Sequence, residues 1–213
     1  GSGSEMGYSV QETSDGGFVI VGSTYSYGSG SSDVYLVKTD FEGNLLWNKT
    51  FGGNWEEIGY SVKQTSDGGN IVVGKSEVQV PNMDVFLIKT DSEGNKVWKK
   101  SFGGHRYDEG RDVQQANDGG YVIVGRSDSF GPGLSAVYLL KTNSEGSLLW
   151  NRTIGGTNGD YGRSIQKTSD GGYILIGKTQ SFGDGHFMAY LVKTDSDGNE
   201  VWSQLRRVWR HYH

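Results

Sequence analysis

Short apolar runs recur along the chain, divided by polar, glycine-rich punctuation. Val19-Ile20-Val21 and Tyr35-Leu36-Val37 are typical, with apolar residues at adjacent positions rather than alternate ones. A strand that is apolar on both faces must be covered on both faces. Each run therefore reads as a buried strand, and four strand types follow one another in a fixed order. Strand a is short, as in residues 59–65, and ends at an Asp-Gly-Gly turn whose glycine supplies the positive φ of a tight hairpin. Strand b follows, for example Phe18 to Ser23 or Tyr121 to Arg126, and after a loop of about ten residues strand c, as in Val34 to Thr39. A second turn, Asp-x-Glu/Asp-Gly-Asn in three copies with variants, leads into strand d, which carries a tryptophan.

The landmarks keep step. The Asp-Gly-Gly turn starts at Asp15, Asp67, Asp118 and Asp170, and the tryptophans fall at Trp47, Trp98, Trp150 and Trp202. Repeats of 40 to 50 residues with four strands each are the mark of propeller blades. The chain is thus expected to be an all-β propeller of four four-stranded blades, about 52 residues each, at 7–53, 54–104, 105–156 and 157–204. Residues 1–6 read as a linker or vector remnant, and 205–213 as a tail outside the repeat. The blades either close a four-bladed ring or form half of an eight-bladed ring made by a homodimer. The chain begins in strand a and ends in strand d, so no exchange of strands between the termini is evident to lock a ring.

The sequences Asp-Gly-Gly-Tyr-(Ile/Val)-x-(Ile/Val)-Gly, Tyr-Leu-Val-Lys-Thr-Asp-x-x-Gly-Asn and Trp-x-Lys-Thr-Phe-Gly-Gly resemble the propeller repeats of secreted and cell-surface proteins of archaea and bacteria. More distantly they are similar to the tryptophan motif of quinoprotein-type propellers. The resemblance covers residues 7 to about 204 and implies the fold and an extracellular or cell-surface setting within a larger protein. It does not imply a function, because this fold carries enzymes, lectins and scaffolds alike.

Composition narrows the partners. A net charge of −5 offers no footprint for nucleic acid, and no apolar stretch is long enough to insert in a membrane. The absence of cysteine removes disulfides, thiolate metal sites and cysteine nucleophiles.

The a–b and c–d turns are nearly the same in every copy, whereas the b–c loops and d–a connections differ, and antiparallel strands place these on one side of the disc. That side carries Tyr25, Trp55, His105, Arg106, Tyr107, Tyr161, His186 and Phe187, a set suited to stacking on sugar rings or gripping a protein. Aromatics that recur in step, the four tryptophans and Tyr27, Phe130 and Phe182, are read as packing. The acids Glu56 and Glu57, Asp108 and Glu109, and Asp160 precede the strand-a glycines and could ring the mouth of the axis; Glu57, Asp108 and Asp160 are weak metal candidates that would hold Ca²⁺, or else bond the amides of their own turns. No other cofactor is indicated. The Asp-x-x-Gly-Asn turns are read as hairpins rather than calcium loops, and the sequons at Asn48 and Asn151 as repeat residues. His105, His186, His211 and His213 share no repeat position, and no nucleophile–histidine–acid motif occurs.

The expectation is therefore a non-enzymatic binding module that recognises protein or glycan through its variable face. A self-assembling structural array is one alternative, and a polysaccharide hydrolase or lyase with axial carboxylates is another.

Overall fold

The computed structural model describes residues 3–79 and 82–206 and contains sixteen strands in four antiparallel sheets. Blade 1 is β1 (Glu5–Glu12), β2 (Phe18–Thr24), β3 (Asp33–Thr39) and β4 (Leu45–Phe51). Blade 2 is β5 (Glu57–Gln64), β6 (Asn70–Gln79), β7 (Asn82–Thr90) and β8 (Lys96–Phe102). Blade 3 is β9 (Asp108–Gln115), β10 (Tyr121–Ser127), β11 (Ala136–Thr142) and β12 (Leu148–Ile154). Blade 4 is β13 (Asp160–Lys167), β14 (Tyr173–Thr179), β15 (Met188–Thr194) and β16 (Glu200–Arg206). Within each sheet the strands lie in chain order, as hairpins require. The a strands β1, β5, β9 and β13 pack on one another from blade to blade and so line the axis, whereas the d strands lie outermost.

The runs that are apolar on both faces are buried as their pattern requires. Between blades 1 and 2, Val19, Val21, Val34 and Leu36 meet Val62, Val72, Phe86 and Ile88. Equivalent clusters join blades 2 and 3, and blades 3 and 4. Among the described residues, blades 4 and 1 share no such cluster. The faces that a closed four-bladed ring would bury are open: Val10 is 63% exposed and Ile176 47%.

The repeated motifs are tied to one another. The strand-c lysine reaches the a–b turn of its own blade, so that Lys38 Nζ lies 3.0 Å from Asp15 Oδ1 and Lys89 Nζ 3.1 Å from Asp67 Oδ1. Asp15 Oδ1 also accepts from Thr13 Oγ1 and from the Gly17 amide. The Thr13 hydroxyl and the Lys38 ammonium hold the Asp15 carboxyl well below the usual carboxylate range. The Asp-x-x-Gly-Asn turns are hairpins: Asp91 Oδ1 accepts from the Asn95 amide at 2.7 Å, and Asp195 Oδ1 from that of Asn199 at 2.8 Å.

Three expectations need adjustment. First, β16 continues past Gln204, with Leu205 paired to Tyr190 and packed on the core between blades 3 and 4. Leu205 thus stands in the register of Thr153 and Arg206 in that of Ile154, so the strand runs to Arg206, while β1 begins already at Glu5. The remaining tail, with Arg207, Arg210, His211 and His213, lies outside the described residues. Second, the tryptophans are only partly buried. Trp47, Trp98 and Trp150 lie over the c–d glycine of the following blade, where a Cβ on Gly94 would come within 2.6 Å of Trp47 Cζ3. Trp202, with no blade after it, is 42% exposed. Third, Tyr27, Phe130 and Phe182 pack on Tyr35, Tyr138 and Tyr190 of their own blades at centroid separations of 6.1, 5.6 and 5.6 Å, while Phe130 and Phe182 also lie beside Gly104 and Gly156 at the end of the preceding blade.

Candidate functional site at the loop-side end of the axis

The b–c loops and d–a connections share one face of the disc and are stitched together there. The Glu57 amide donates to the Ser32 carbonyl and the Asp160 amide to that of Ser135, so each b–c loop is fixed to the start of the next blade's a strand.

Glu57, Asp108 and Asp160 do not ring the axis. Each is buried at a blade boundary and bound to its glycine turn. Gly53 N donates to Glu57 at 3.2 Å, Gly104 N to Asp108 at 2.8 Å and Gly156 N to Asp160 at 2.9 Å. Ser76, Ser129 and Ser181 hydroxyls add a second bond to the three acids respectively. An acid that satisfies turn amides has a structural use, and among the described residues no group of three or more His, Asp or Glu stands close enough to hold a metal. Asp33 and Asp84, which the repeat pattern does not single out, sit beside them. Burial, then the neighbouring Asp108, pushes the Asp84 carboxyl up; burial, then Glu57, does the same for Asp33.

The axial chemistry is set by a β-bulge. The pairing register slips after Gly7, Gly59, Gly110 and Gly162, so Tyr8, Tyr60, Arg111 and Arg163 are extra residues with no partner across the hairpin. A bulge re-aims the side chain it inserts. It also forces a close backbone approach: a Cβ on Gly74 would collide with the Ile58 carbonyl, which explains the glycine that ends each strand-b apolar run. The bulge column holds Tyr in the first two copies and Arg in the last two, and the two positions before it in alternation differ in every copy. They read Ser4, Met6 and Tyr8; Glu56, Ile58 and Tyr60; Tyr107, Glu109 and Arg111; Gly159, Tyr161 and Arg163.

Blade 3 places a carboxylate here. Glu109, 4% exposed in its side chain, accepts on Oε2 from Arg111 Nη2 at 2.6 Å and from the Tyr107 hydroxyl at 2.8 Å. Both bonds fall on one oxygen and leave Oε1 out of them. The Arg111 guanidinium lies 3.9 Å from the centre of the Tyr60 ring, which stands edge-on to Tyr8 at 5.3 Å. Strand-b cations complete the group. Lys75 pairs with Glu56 and approaches Tyr107, Arg126 lies 4.9 Å from the rings of both Tyr107 and Tyr161, and Lys178 lies 4.2 Å from Phe187. Burial, then the charge of Glu109, drives the Tyr107 phenol well above its ordinary value. Burial alone leads in raising Tyr60, to about 12.

Of the residues singled out by sequence, Tyr107, Tyr161 and Phe187 come together in this cluster. Tyr25, Trp55, His105, Arg106 and His186 lie exposed on the same face. Glu109 belongs to the acids that precede the strand-a glycines in the sequence, whereas Arg111, Lys75, Arg126 and Lys178 carry no signal in the repeat pattern. Nor does Asp112, whose carboxylate bridges three blades: it accepts from Ser61 Oγ and Ser164 Oγ, both at 2.8 Å, and from the Ile165 amide at 3.0 Å. At the opposite, turn-side end the axis opens into a cleft of about 550 Å³ lined by Gln11, Lys63, Gln64, Gln114, Gln115 and Lys167, with no carboxylate among its walls.

No family model matches the chain. The curated regulatory protein FlaEY of Caulobacter vibrioides is 30% identical over 118 residues, which is 49% of this chain but only 12% of that protein's length. Among solved structures, an α-L-arabinofuranosidase from Fusarium graminearum is similar with a TM-score of 0.66 at 12% identity, over 93% of this chain and 65% of that one. An endo-arabinase from Bacteroides thetaiotaomicron gives 0.51 at 10% identity, over 92% of this chain and 80% of that one. At these identities the likeness is one of fold, and the fold is that of propellers. It overturns the expectation of a chain without enzymatic activity: the scaffold shared here is one that carries glycosidases, so nothing in the architecture sets chemistry aside.

Proposed function

We propose that the chain acts on polysaccharide, cleaving glycosidic bonds at the loop-side end of its axis. The observation that carries this reading is the buried Glu109, held by Arg111 and Tyr107 within a rim of aromatic rings and cations. Glycoside hydrolysis calls for two carboxyl groups flanking the scissile bond. Glu109 and Glu56 are the two carboxylates of the axial columns, carried on adjacent blades, and the charge of each acts on Tyr60. One gives a proton to the leaving sugar oxygen as the anomeric C–O bond breaks. The other takes up the anomeric carbon or the proton of the attacking water, so that one water is added per bond cleaved. Tyr60, Tyr107 and Tyr161 supply faces on which a sugar ring can stack. The cations Lys75, Arg126 and Lys178 suit a chain bearing acidic sugars. The glycosidase propellers of similar fold support this reading, and an extracellular or cell-surface setting accords with a polymeric substrate.

The test is release of reducing ends from arabinan, galactan, xylan and a polyuronate. Turnover that falls at least about a hundredfold in Glu109→Gln and in Glu56→Gln is the expected result. Activity retained in Glu109→Gln, or no cleavage of any of these polymers by the unaltered chain, overturns the reading.

A further inference from the structure

Three blade boundaries repeat one arrangement. The leading blade offers the forward residues of its b and c strands, as with Val122, Val124, Val137 and Leu139; the following blade offers its a strand and the backward residues of b and c, as with Ile165, Leu175, Tyr190 and Val192. At the rim, the leading blade's tryptophan covers the following blade's c–d glycine. A strand-d cation beside it reaches the turn asparagine: Lys49 Nζ lies 3.1 Å from Asn95 Oδ1, and Arg152 Nε lies 3.3 Å from Asn199 Oδ1.

The two end blades carry the two halves of this arrangement unused. Blade 4 presents the forward half, with Ile174, Ile176 and Leu191 on the sheet and Trp202 at the rim. Blade 1 presents the backward half, with Val10, Ile20 and Val37 on the sheet and Gly43 at the rim. A Cβ on Gly43 would meet nothing within 4 Å, whereas those on Gly94, Gly146 and Gly198 would strike a tryptophan. Each face holds a shallow hollow, of about 350 Å³ around Tyr8, Val10 and Ile20 and of about 240 Å³ around Ile174, Ile176 and Leu191. An apolar face of this kind marks an interface, and here the partner's shape is already seen three times over.

We infer that the forward face of blade 4 takes the backward face of blade 1 of a second copy of this chain, and the reverse at the other junction, so that two copies close one ring. The contact is heterologous, since each face meets a different one, and two such contacts close on a two-fold axis. Two chains of four blades make eight, within the range that propellers use. The inference is independent of the proposed activity.

Light scattering at micromolar concentration is expected to give twice the 23.3 kDa of the chain. Val10→Asp and Ile176→Asp each spoil one face at an exposed site, so both are expected to keep the far-ultraviolet circular dichroism of the unaltered chain and to elute as monomers. Mixing the two variants leaves one intact pair of faces, and the doubled mass is expected to return. A monomeric unaltered chain overturns the inference, as does a dimer that survives both substitutions. Failure of the mixture to associate also overturns it, since that is the behaviour of a contact between like faces.

Discussion

Blade 3 can be rewritten at the axis with residues that blade 2 already uses, and the outcome separates a site from a support. Glu109 and Arg111 occupy the positions of Ile58 and Tyr60 one repeat earlier. In Glu109→Ile alone, the Arg111 guanidinium loses the carboxylate that it meets at 2.6 Å and stays beneath the rim. Removing one partner of a fully buried pair costs about 3–5 kcal/mol. The Arg111 side chain is 24% exposed and retains the Tyr60 ring, so a loss of about 2 kcal/mol is the fitting figure. For a chain of this length that lowers Tm by roughly 4–8 °C. The Tyr107 phenol, raised first by burial and then by Glu109, should titrate lower in this variant, which ultraviolet difference titration reads. Adding Arg111→Tyr removes the stranded cation and restores the pairing of residues that blade 2 tolerates. Replacing an ion pair by apolar groups of similar bulk is near neutral, so scanning calorimetry should place the double variant within about 1 kcal/mol of the unaltered chain. Polysaccharide cleavage should be lost in both. A double variant as unstable as the single one would show that the cluster holds the fold together. A stable double variant that still cleaves would remove Glu109 from the chemistry.

Asp112→Ala strips acceptors from Ser61, Ser164 and the Ile165 amide at once, and urea unfolding should show a loss of about 2–3 kcal/mol, with Asp112→Asn losing less. Leu139→Ala opens the core between blades 3 and 4 and should cost about 2–5 kcal/mol by the same measurement. Asp84 has a folded pKa raised by burial and by Asp108, so the folded chain holds its proton longer and stability falls as pH rises above about 4; Asp84→Asn should raise Tm at pH 7 and leave it unchanged at about pH 3. Asp170 is shifted the other way, by the Thr168 hydroxyl and then Lys193, so its contribution is present above the unfolded value near 4 and is lost as pH falls through the folded value. Acid titrations of Tm should accordingly flatten below about pH 4 in Asp170→Asn.

The scaffold was legible because its physical demands fall on residues that have few substitutes. A positive φ needs Gly16, Gly68, Gly119 and Gly171, and the lysine of each c strand must reach the aspartate of its own a–b turn. Such requirements recur every blade, so they stand out on comparing copies. The tryptophans recur equally, yet recurrence could not tell a buried ring from one lying across the next blade, and Trp202 shows the difference. The site was less legible for the converse reason. Tyr107, Tyr161 and Phe187 stand out because the loops vary visibly, and Glu109 as one of the acids before the strand-a glycines, whereas Arg111 lies inside a strand whose neighbours are all scaffold. The bulge at Arg111 displaces the alternation by one residue, and a strict period of two therefore puts this column on the wrong face. Aligning the four copies at Gly7, Gly59, Gly110 and Gly162 exposes the column directly, since the position before each glycine reads Met6, Ile58, Glu109 and Tyr161 while the one before that is always an acid.

That divergence is also what links the axis to the open ends. The first two internal boundaries pair bulge residues of successive blades, and the stacking of Arg111 on Tyr60 shows that the column reads across a boundary rather than within a blade. Tyr8 and Arg163 occupy the same column in the two end blades. A ring of two copies would set Arg163 of one chain next to Tyr8 of the other, a cation and a ring once more on neighbouring a strands. A ring of two chains would hold two Glu109 clusters around a wider axis, suited to a polymer lying across the mouth rather than to a single sugar held in a pocket. Chain length of the substrate then becomes the discriminating variable. Cleavage rates that climb with oligosaccharide length, and that drop to those of short oligomers in Val10→Asp, would tie the assembly to the chemistry; rates indifferent to Val10→Asp would show that each four-blade arc works alone.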